Sequence, residues 1–276
     1  QDPLTLWDLN PCNPHHSIYT NYIDLYREQK LPGYIYQHFV LDDNLSIPES
    51  RKEEIRAQYN PQSVWYRRDI LGVRTTAAGL IFRQFADNPE QWMIDKAPED
   101  LQFITYGVDF GESTSHTVFV ASGLKRNGRG VVALAEHKLE SKGVDPSRIE
   151  SEFTDFVQRV MMAYPQVKHT YAFCDHPETL VNGLNLALRK AGLPVRAVLA
   201  SKEPINARIY AQEKLLNRGQ MQLMRECKLL SYSLQNQVWD ESKAEDTRLD
   251  NDPDVADVAD AWEYSWEAFI DQLGVR

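Results

Sequence analysis

The sequence predicts an α/β fold, a mixed β-sheet with helices on its faces, over residues 101–276, with a shorter segment ahead of it. Three observations carry this. Residues 103–139 hold three β-rich runs with hairpin chemistry, helical and strand patterns then alternate to about residue 219, and an acid-rich, turn-rich stretch at 87–100 separates all of this from what precedes it.

In order, residues 1–86 open on two Asn-Pro steps. They suggest a helix over 19–29 and another over 48–59, with Ser46 placed as its cap. The stretch DNPEQWMIDKAPED (87–100) has the composition of a linker. Beyond it, 103–110, 116–123 and 131–139 are expected as strands. The last two are joined by LKRNGRG, whose Asn127-Gly128 step favours a tight hairpin turn, so an antiparallel three-strand meander follows. A helix over 146–164 capped by Asp145, a strand at 168–175, a helix over 177–191 closed by Gly192, a strand at 194–199 and a helix over 203–218 closed by Gly219 complete the sheet and its cover. From about Pro253 the chain is helical again.

The composition is that of a folded chain: 276 residues, 42% hydrophobic and 11% aromatic. The roughly 18–20 unbroken apolar residues of a membrane helix occur nowhere, and no signal-peptide pattern opens the chain, so a non-secreted intracellular protein is expected. Cys12, Cys174 and Cys227 are odd in number and widely spaced, which fits reduced thiols and neither a disulfide framework nor a zinc site. The formal charge of −10 argues against coating nucleic acid by bulk attraction but leaves a local phosphate-gripping patch open. The first residue is Gln1, and the expectation is a piece of a longer protein.

Three places concentrate acids at the ends of elements. With period-2 alternation in ITYGVDF (104–110), Thr105, Gly107 and Asp109 share the less apolar face of a strand that ends at Asp109. The strand at 168–175 ends likewise in Asp175. In DNDPDVADVADAWEYSW (250–266), Asp254, Asp257 and Asp260 recur every three residues, with Val255, Ala259, Trp262, Trp266 and Phe269 as the expected core stripe. Each acid has a structural reading of its own: a strand-end turn, a helix cap before His176-Pro177, a solvated face that suits a helix N-terminus. Brought together they make an oxygen-rich site for Mg²⁺ or Mn²⁺. Two such ions about 3.5–4 Å apart would activate a water and stabilise the leaving oxygen of a phosphodiester.

These residues resemble the large terminase subunit of tailed bacteriophages over nearly the whole chain. The resemblance rests on YGVDFG (106–111), on YAFCDHPETLVNGLNLALRKAGL (171–193) followed by Ala200-Ser201-Lys202, and on DVADAWEY (257–264). It implies an RNase H-like nuclease over 101–276, preceded by a connecting segment and the C-terminal remnant of a P-loop ATPase domain over 1–86, with 87–100 as linker. By the same resemblance Asp109, Asp175 and Asp260 are catalytic metal ligands for two divalent cations, and the family's Asp-His-x-x-Asp-Ala-x-Arg-Tyr pattern falls on 256–264. Asp257, also placed among the metal ligands, stands where the family often has histidine, and Glu263 where it often has arginine. Lys202 matches a lysine near the DNA path. LWDLNPCNPHHSIY (6–19) resembles the end of the ATPase domain, with Asn10 as the residue that couples hydrolysis to motion, and 42–48 and 65–85 resemble the stretch between the domains.

The implied activity is endonucleolytic cutting of concatemeric double-stranded DNA in a viral packaging motor, in the cytoplasm of an infected bacterium. Portal protein and small terminase subunit are the implied partners, and the chain itself is expected to be monomeric. No Gly-rich phosphate loop occurs in these residues, so ATP is expected to bind only in the part that precedes them. Lys125, Arg126 and Arg129 at the hairpin tip are candidate DNA contacts, Arg67-Arg68 add positive charge, and His116 and His176 lie near the acids. Two other readings are weighed. An actin-like or sugar-kinase-like nucleotide fold would explain VDFGESTS, but its second phosphate loop lacks the needed glycine at Asp175-His176-Pro177. A non-cutting terminase-like docking module would have lost one of the three aspartates, and all three are present.

Overall fold

A computed structural model describes residues 5–14, 16–29, 32–111, 115–139, 145–243 and 245–276. Glu112, Ser113 and Thr114 lie outside them. The chain divides into two compact units, one of residues 1–79 and 239–247, the other of 80–238 and 248–276.

The first unit holds two short helices, α1 (Asp24–Gln29) and α2 (Glu49–Arg56), beside π-helical turns at Tyr19–Ile23 and Tyr66–Ile70. Ser46 does not cap α2: its hydroxyl donates to Asn44 Oδ1 at 2.6 Å, and Pro48 stands at the cap. Fixed φ at proline starts the helix in the hydroxyl's place. Arg74 stacks 3.8 Å over the Tyr19 ring and reaches Asp24 Oδ1 at 2.7 Å. Arg68, counted above with the available positive charge, is buried instead. It pairs with Asp246 and donates to the Thr75 carbonyl, which secures the 239–247 excursion to the rest of the unit. Asn10 is exposed in an irregular segment of this unit.

The second unit is a mixed sheet. Its elements are α3 (Arg83–Asp87), β1 (Met93–Ile94), β2 (Leu101–Asp109), β3 (Thr117–Lys125), β4 (Val131–Leu139), α4 (Pro146–Ala163), β5 (Lys168–Cys174), α5 (Glu178–Lys190), β6 (Arg196–Leu199), α6 (Ile205–Asn217), β7 (Met221–Met224), α7 (Lys228–Asn236), α8 (Pro253–Glu267) and α9 (Ile270–Leu273). Seven strands lie in the order β1-β7-β4-β3-β2-β5-β6. The β2-β3-β4 meander is antiparallel, and β5, β6, β7 and β1 join parallel. This is the expected mixed sheet flanked by helices. Asn127 and Gly128, at φ 58° and 66°, make the hairpin turn in the left-handed region that asparagine and glycine tolerate.

Within 87–100, expected as a linker, the chain makes a 3-10 turn at Pro89–Trp92, buries Trp92 and adds β1 to the sheet edge. The sequence reading also left 220–236 unassigned, where β7 and α7 form. Strand β7 is four residues long and gains its identity from its two parallel neighbours, β4 and β1, so little local pattern marks it.

The two faces of the sheet divide the helices. Tyr106 and Phe119 of one face meet Phe153 and Phe156 of α4, in ring contacts of 5.0–6.1 Å. On the other face α8 crosses β2 and β3, where Thr105 donates to the Ser265 carbonyl at 2.6 Å. Helix α8 was expected to show a solvated acidic side. It is instead buried nearly all round, Asp257, Glu263 and Glu267 included, because the chain at 205–236 folds over it: Gln212 of α6 accepts from Trp262, and Ser233 of α7 donates to the Val255 carbonyl.

Candidate functional site

The site sits where strands end. Val108 of β2 lies beside Cys174 of β5 in a parallel register, and the Asp175 amide donates to the Val108 carbonyl at 3.0 Å. Asp109 and Asp175 therefore leave adjacent strands at the same level, about 4.8 Å apart across the ladder. Strand β6 ends at that level too, since the Ala200 amide donates to the Cys174 carbonyl, and Lys202 follows two residues on. The third contributor is α8. It can cross β2 closely only because residue 107 is glycine, and its N-terminal half carries Asp257 and Asp260 over the strand ends.

Asp109 is buried. Removal from water, and then the negative charges of Asp260, Asp257 and Asp175, push its carboxyl well above the usual carboxylate range, with Lys202 pulling the other way. Four acids thus share one region of the field. Asp257 is 8% exposed; burial raises it to about 6, against the His116 amide, which donates to Asp257 Oδ2 at 2.5 Å. The His116 ring lies 3.3 Å from Asp254 Oδ1. The His176 amide donates to Asp175.

Basic side chains already touch two of the acids. The Lys202 ammonium pairs with Asp175 Oδ1, while the Lys202 amide donates to Glu267 Oε1 at 2.8 Å, holding the residue in a left-handed conformation at φ 52°. Asp260 Oδ1 accepts from Arg208 of α6 at 2.9 Å and from Arg248, just ahead of α8, at 2.7 Å. Both guanidiniums also bind Glu263, which has no exposed side-chain surface. Burial would lower the pKa of Arg208, but Glu263 and Asp260 outweigh it and hold the group above its ordinary range. Tyr264 lies between the Lys202 ammonium and the Arg208 guanidinium, 5.9 and 5.3 Å from its ring centre.

Sequence reading missed Arg208, Arg248 and Glu267. One signal for the arginines was present: Glu263 in a place where arginine is usual, inside a helix that packs on both sides, requires a cation from elsewhere. The hairpin cations lie elsewhere. Leu101 pairs with Lys125 while Asp109 pairs with Val118, so Lys125, Arg126 and Arg129 sit at the opposite end of β2, roughly 26 Å from Asp109 at about 3.3 Å per residue. Lys125 is further engaged with Gln222 Oε1 at 2.6 Å, and Arg126 and Arg129 are exposed.

The donor chemistry fits a hard divalent cation: among the described residues the carboxylates of Asp260, Asp257 and Asp175 act on Asp109, whose charge burial and these neighbours penalise. Among the described residues, however, no group of three or more His, Cys, Asp and Glu side chains already stands at metal-coordinating spacing. Asp175 and Asp260 are turned toward Lys202 and the two arginines.

No family model matches the chain, and no curated protein matches it. Among solved structures, the large terminase from a thermophilic bacteriophage aligns with a TM-score of 0.72 at 23% identity, covering 92% of this chain and 59% of that one. The same terminase in complex with ADP aligns with a TM-score of 0.72 at 21% identity, over 95% and 60%. This chain spans about 60% of the length of the terminases it matches. Its fold is similar to that of the aligned part of these large terminases.

Proposed function

We propose that this chain is a metal-dependent DNA endonuclease of a viral packaging motor, which cuts concatemeric double-stranded DNA. The observation that carries the reading is Asp109: a buried carboxylate at a strand end, surrounded by Asp260, Asp257 and Asp175 in a field that penalises its charge until a cation is supplied. Asp109, Asp175 and Asp260 would hold two divalent cations, Mg²⁺ or Mn²⁺, with Asp257 as a further ligand. Bound there, the cations would supply activation of a water and stabilisation of the leaving oxygen of the phosphodiester.

The chain's own residues do the rest. Parallel ends of β2 and β5 fix the spacing of Asp109 and Asp175, and α8 brings Asp260 over them. Lys202 is positioned to exchange its carboxylate partner for a backbone phosphate as DNA arrives. Residues 1–86 are read as the C-terminal remnant of an ATPase domain and its connection, with Asn10 as the coupling residue. ATP, portal protein and small subunit belong to the longer protein in this reading, and the host cytoplasm is its place.

The pairing of Asp175 and Asp260 with basic side chains favours a second reading, a terminase-like docking module that does not cut. Plasmid cleavage in EDTA, Mg²⁺ and Mn²⁺, run beside Asp109→Asn, separates the two. The endonuclease reading expects metal-dependent nicking and linearisation that the variant lacks. Cleavage retained by pure, folded Asp109→Asn overturns it.

A further inference from the structure

Asp260 is held by one oxygen only. Arg208 Nη1 and Arg248 Nη2 both donate to Oδ1, at 2.9 and 2.7 Å, which leaves Oδ2 outside the clamp. The clamp is itself clamped. Glu263 Oε2 lies 2.7 Å from Arg208 Nη1 as an ion pair without hydrogen-bond geometry, Glu263 Oε1 accepts from Arg248 at 2.8 Å, Gln237 Oε1 accepts from Arg248 at 3.0 Å, and the Glu203 carbonyl accepts from Arg208 Nε at 2.9 Å. The side chains of Arg208, Arg248 and Glu263 are 4%, 2% and 0% exposed. Neither guanidinium can turn out to water without leaving buried carboxylates unpaired, a far larger penalty than breaking a surface ion pair.

Two guanidiniums, one from α6 and one from the segment just ahead of α8, thus converge on one oxygen. A rigid fork with several donors suits this, where a lysine would offer one mobile charge. Two guanidiniums face Asp260 and Glu263, and the buried Glu267 Oε2 lies a further 3.9 Å from Arg208 Nε.

On the reading of the site as a cation-dependent nuclease, we propose that Arg208 and Arg248 are positioning residues. They fix Asp260 through Oδ1 and present Oδ2 toward Asp109, while Glu263 keeps the pair in place. This also accounts for the glutamate in the usual position of an arginine: the guanidinium arrives from α6 and from the segment before α8, and residue 263 becomes its counter-ion.

The test is Mn²⁺ titration calorimetry on the whole chain, with the difference in melting temperature between Mn²⁺ and EDTA as a second readout. Variants are Arg208→Lys, Arg248→Lys, Arg248→Gln and Glu263→Gln, with Asp109→Asn as control. The expected result is Asp109-dependent Mn²⁺ binding by the wild type, weakened about 10- to 100-fold in the arginine and Glu263 variants. The melting increment on adding Mn²⁺ should shrink in parallel, whatever happens to stability in EDTA. A merely structural role would lower stability in EDTA and leave the increment intact. The lysine variants keep the charge and serve where the glutamines do not fold. Folded variants that bind Mn²⁺ as the wild type does overturn this inference and leave the site reading standing. A wild type without Asp109-dependent binding overturns both.

Discussion

A Cβ added to Gly107 would lie 1.7 Å from the carbonyl oxygen of Ala261 and 2.8 Å from the Ser265 amide nitrogen. Backbone of α8 therefore rests directly on backbone of β2, and this contact sets how near Asp257 and Asp260 come to Asp109.

Gly107→Ala should accordingly displace α8. Overpacking typically costs about 1–3 kcal/mol, and here the obstruction is backbone with no side chain to move aside. Thermal unfolding should show that loss, and cleavage should fall further than stability at temperatures where the variant is folded. An unchanged melting temperature would mean that α8 adjusts freely.

Asp109→Asn removes a carboxylate that burial and three neighbouring acids penalise. In EDTA the variant should melt at or above the wild-type temperature. Added Mn²⁺ should stabilise the wild type by about 2.7 kcal/mol at a concentration 100 times its dissociation constant, and the variant by much less. Scanning calorimetry in EDTA and in Mn²⁺ checks both halves.

Glu136 of β4 accepts the amides of Leu229 and Leu230 at the start of α7, at 2.6 and 2.8 Å. Burial, only partly offset by those amides, raises its pKa from the ordinary 4.5 to about 7. The folded chain then holds the proton more tightly than the unfolded chain. Its contribution is full below about 4.5, declines as pH rises through the window, and is lost above about 7. Denaturant unfolding across that range should show the wild type losing stability relative to Glu136→Gln as pH rises. A constant difference between the two would contradict the assignment.

Asp246→Ala leaves Arg68 buried without its partner. Breaking one side of a buried pair costs about 3–5 kcal/mol. Limited proteolysis should find the first unit opened, with cuts within 239–247, while an Asp246→Leu, Arg68→Met double variant recovers much of the loss. Equal protease resistance in Asp246→Ala and wild type would show that the pair contributes little.

Much of the second unit was legible in the sequence because local signals agree with the fold there. Period-2 alternation placed Asp109 on the face of Gly107, Asn127-Gly128 fixed the hairpin, Asp145 capped α4, and Gly192 and Gly219 stopped α5 and α6. Elements that depend on their neighbours were not legible. Strand β7 is too short to carry a pattern, and α8 resembles an amphipathic surface helix until α6 and α7 cover its acidic side. Asp109 and Asp175 stood out as acids at strand ends, and Asp260 through the family resemblance. Arg208 and Arg248 did not, since a basic residue on a helix or in a loop is ordinarily solvated, and only the fold shows both directed at one half-buried carboxylate, Asp260.

The most direct test of the central claim is diffraction from crystals of this chain soaked in Mn²⁺, with anomalous differences collected at the manganese edge. The account predicts an anomalous peak bound by the Asp109 carboxylate and shared with Asp175 or Asp260, with Lys202 withdrawn from Asp175 where the ion takes its place. No peak at Asp109 in well-soaked crystals, with Lys202 still seated on Asp175, would contradict it and make the acids part of a docking module.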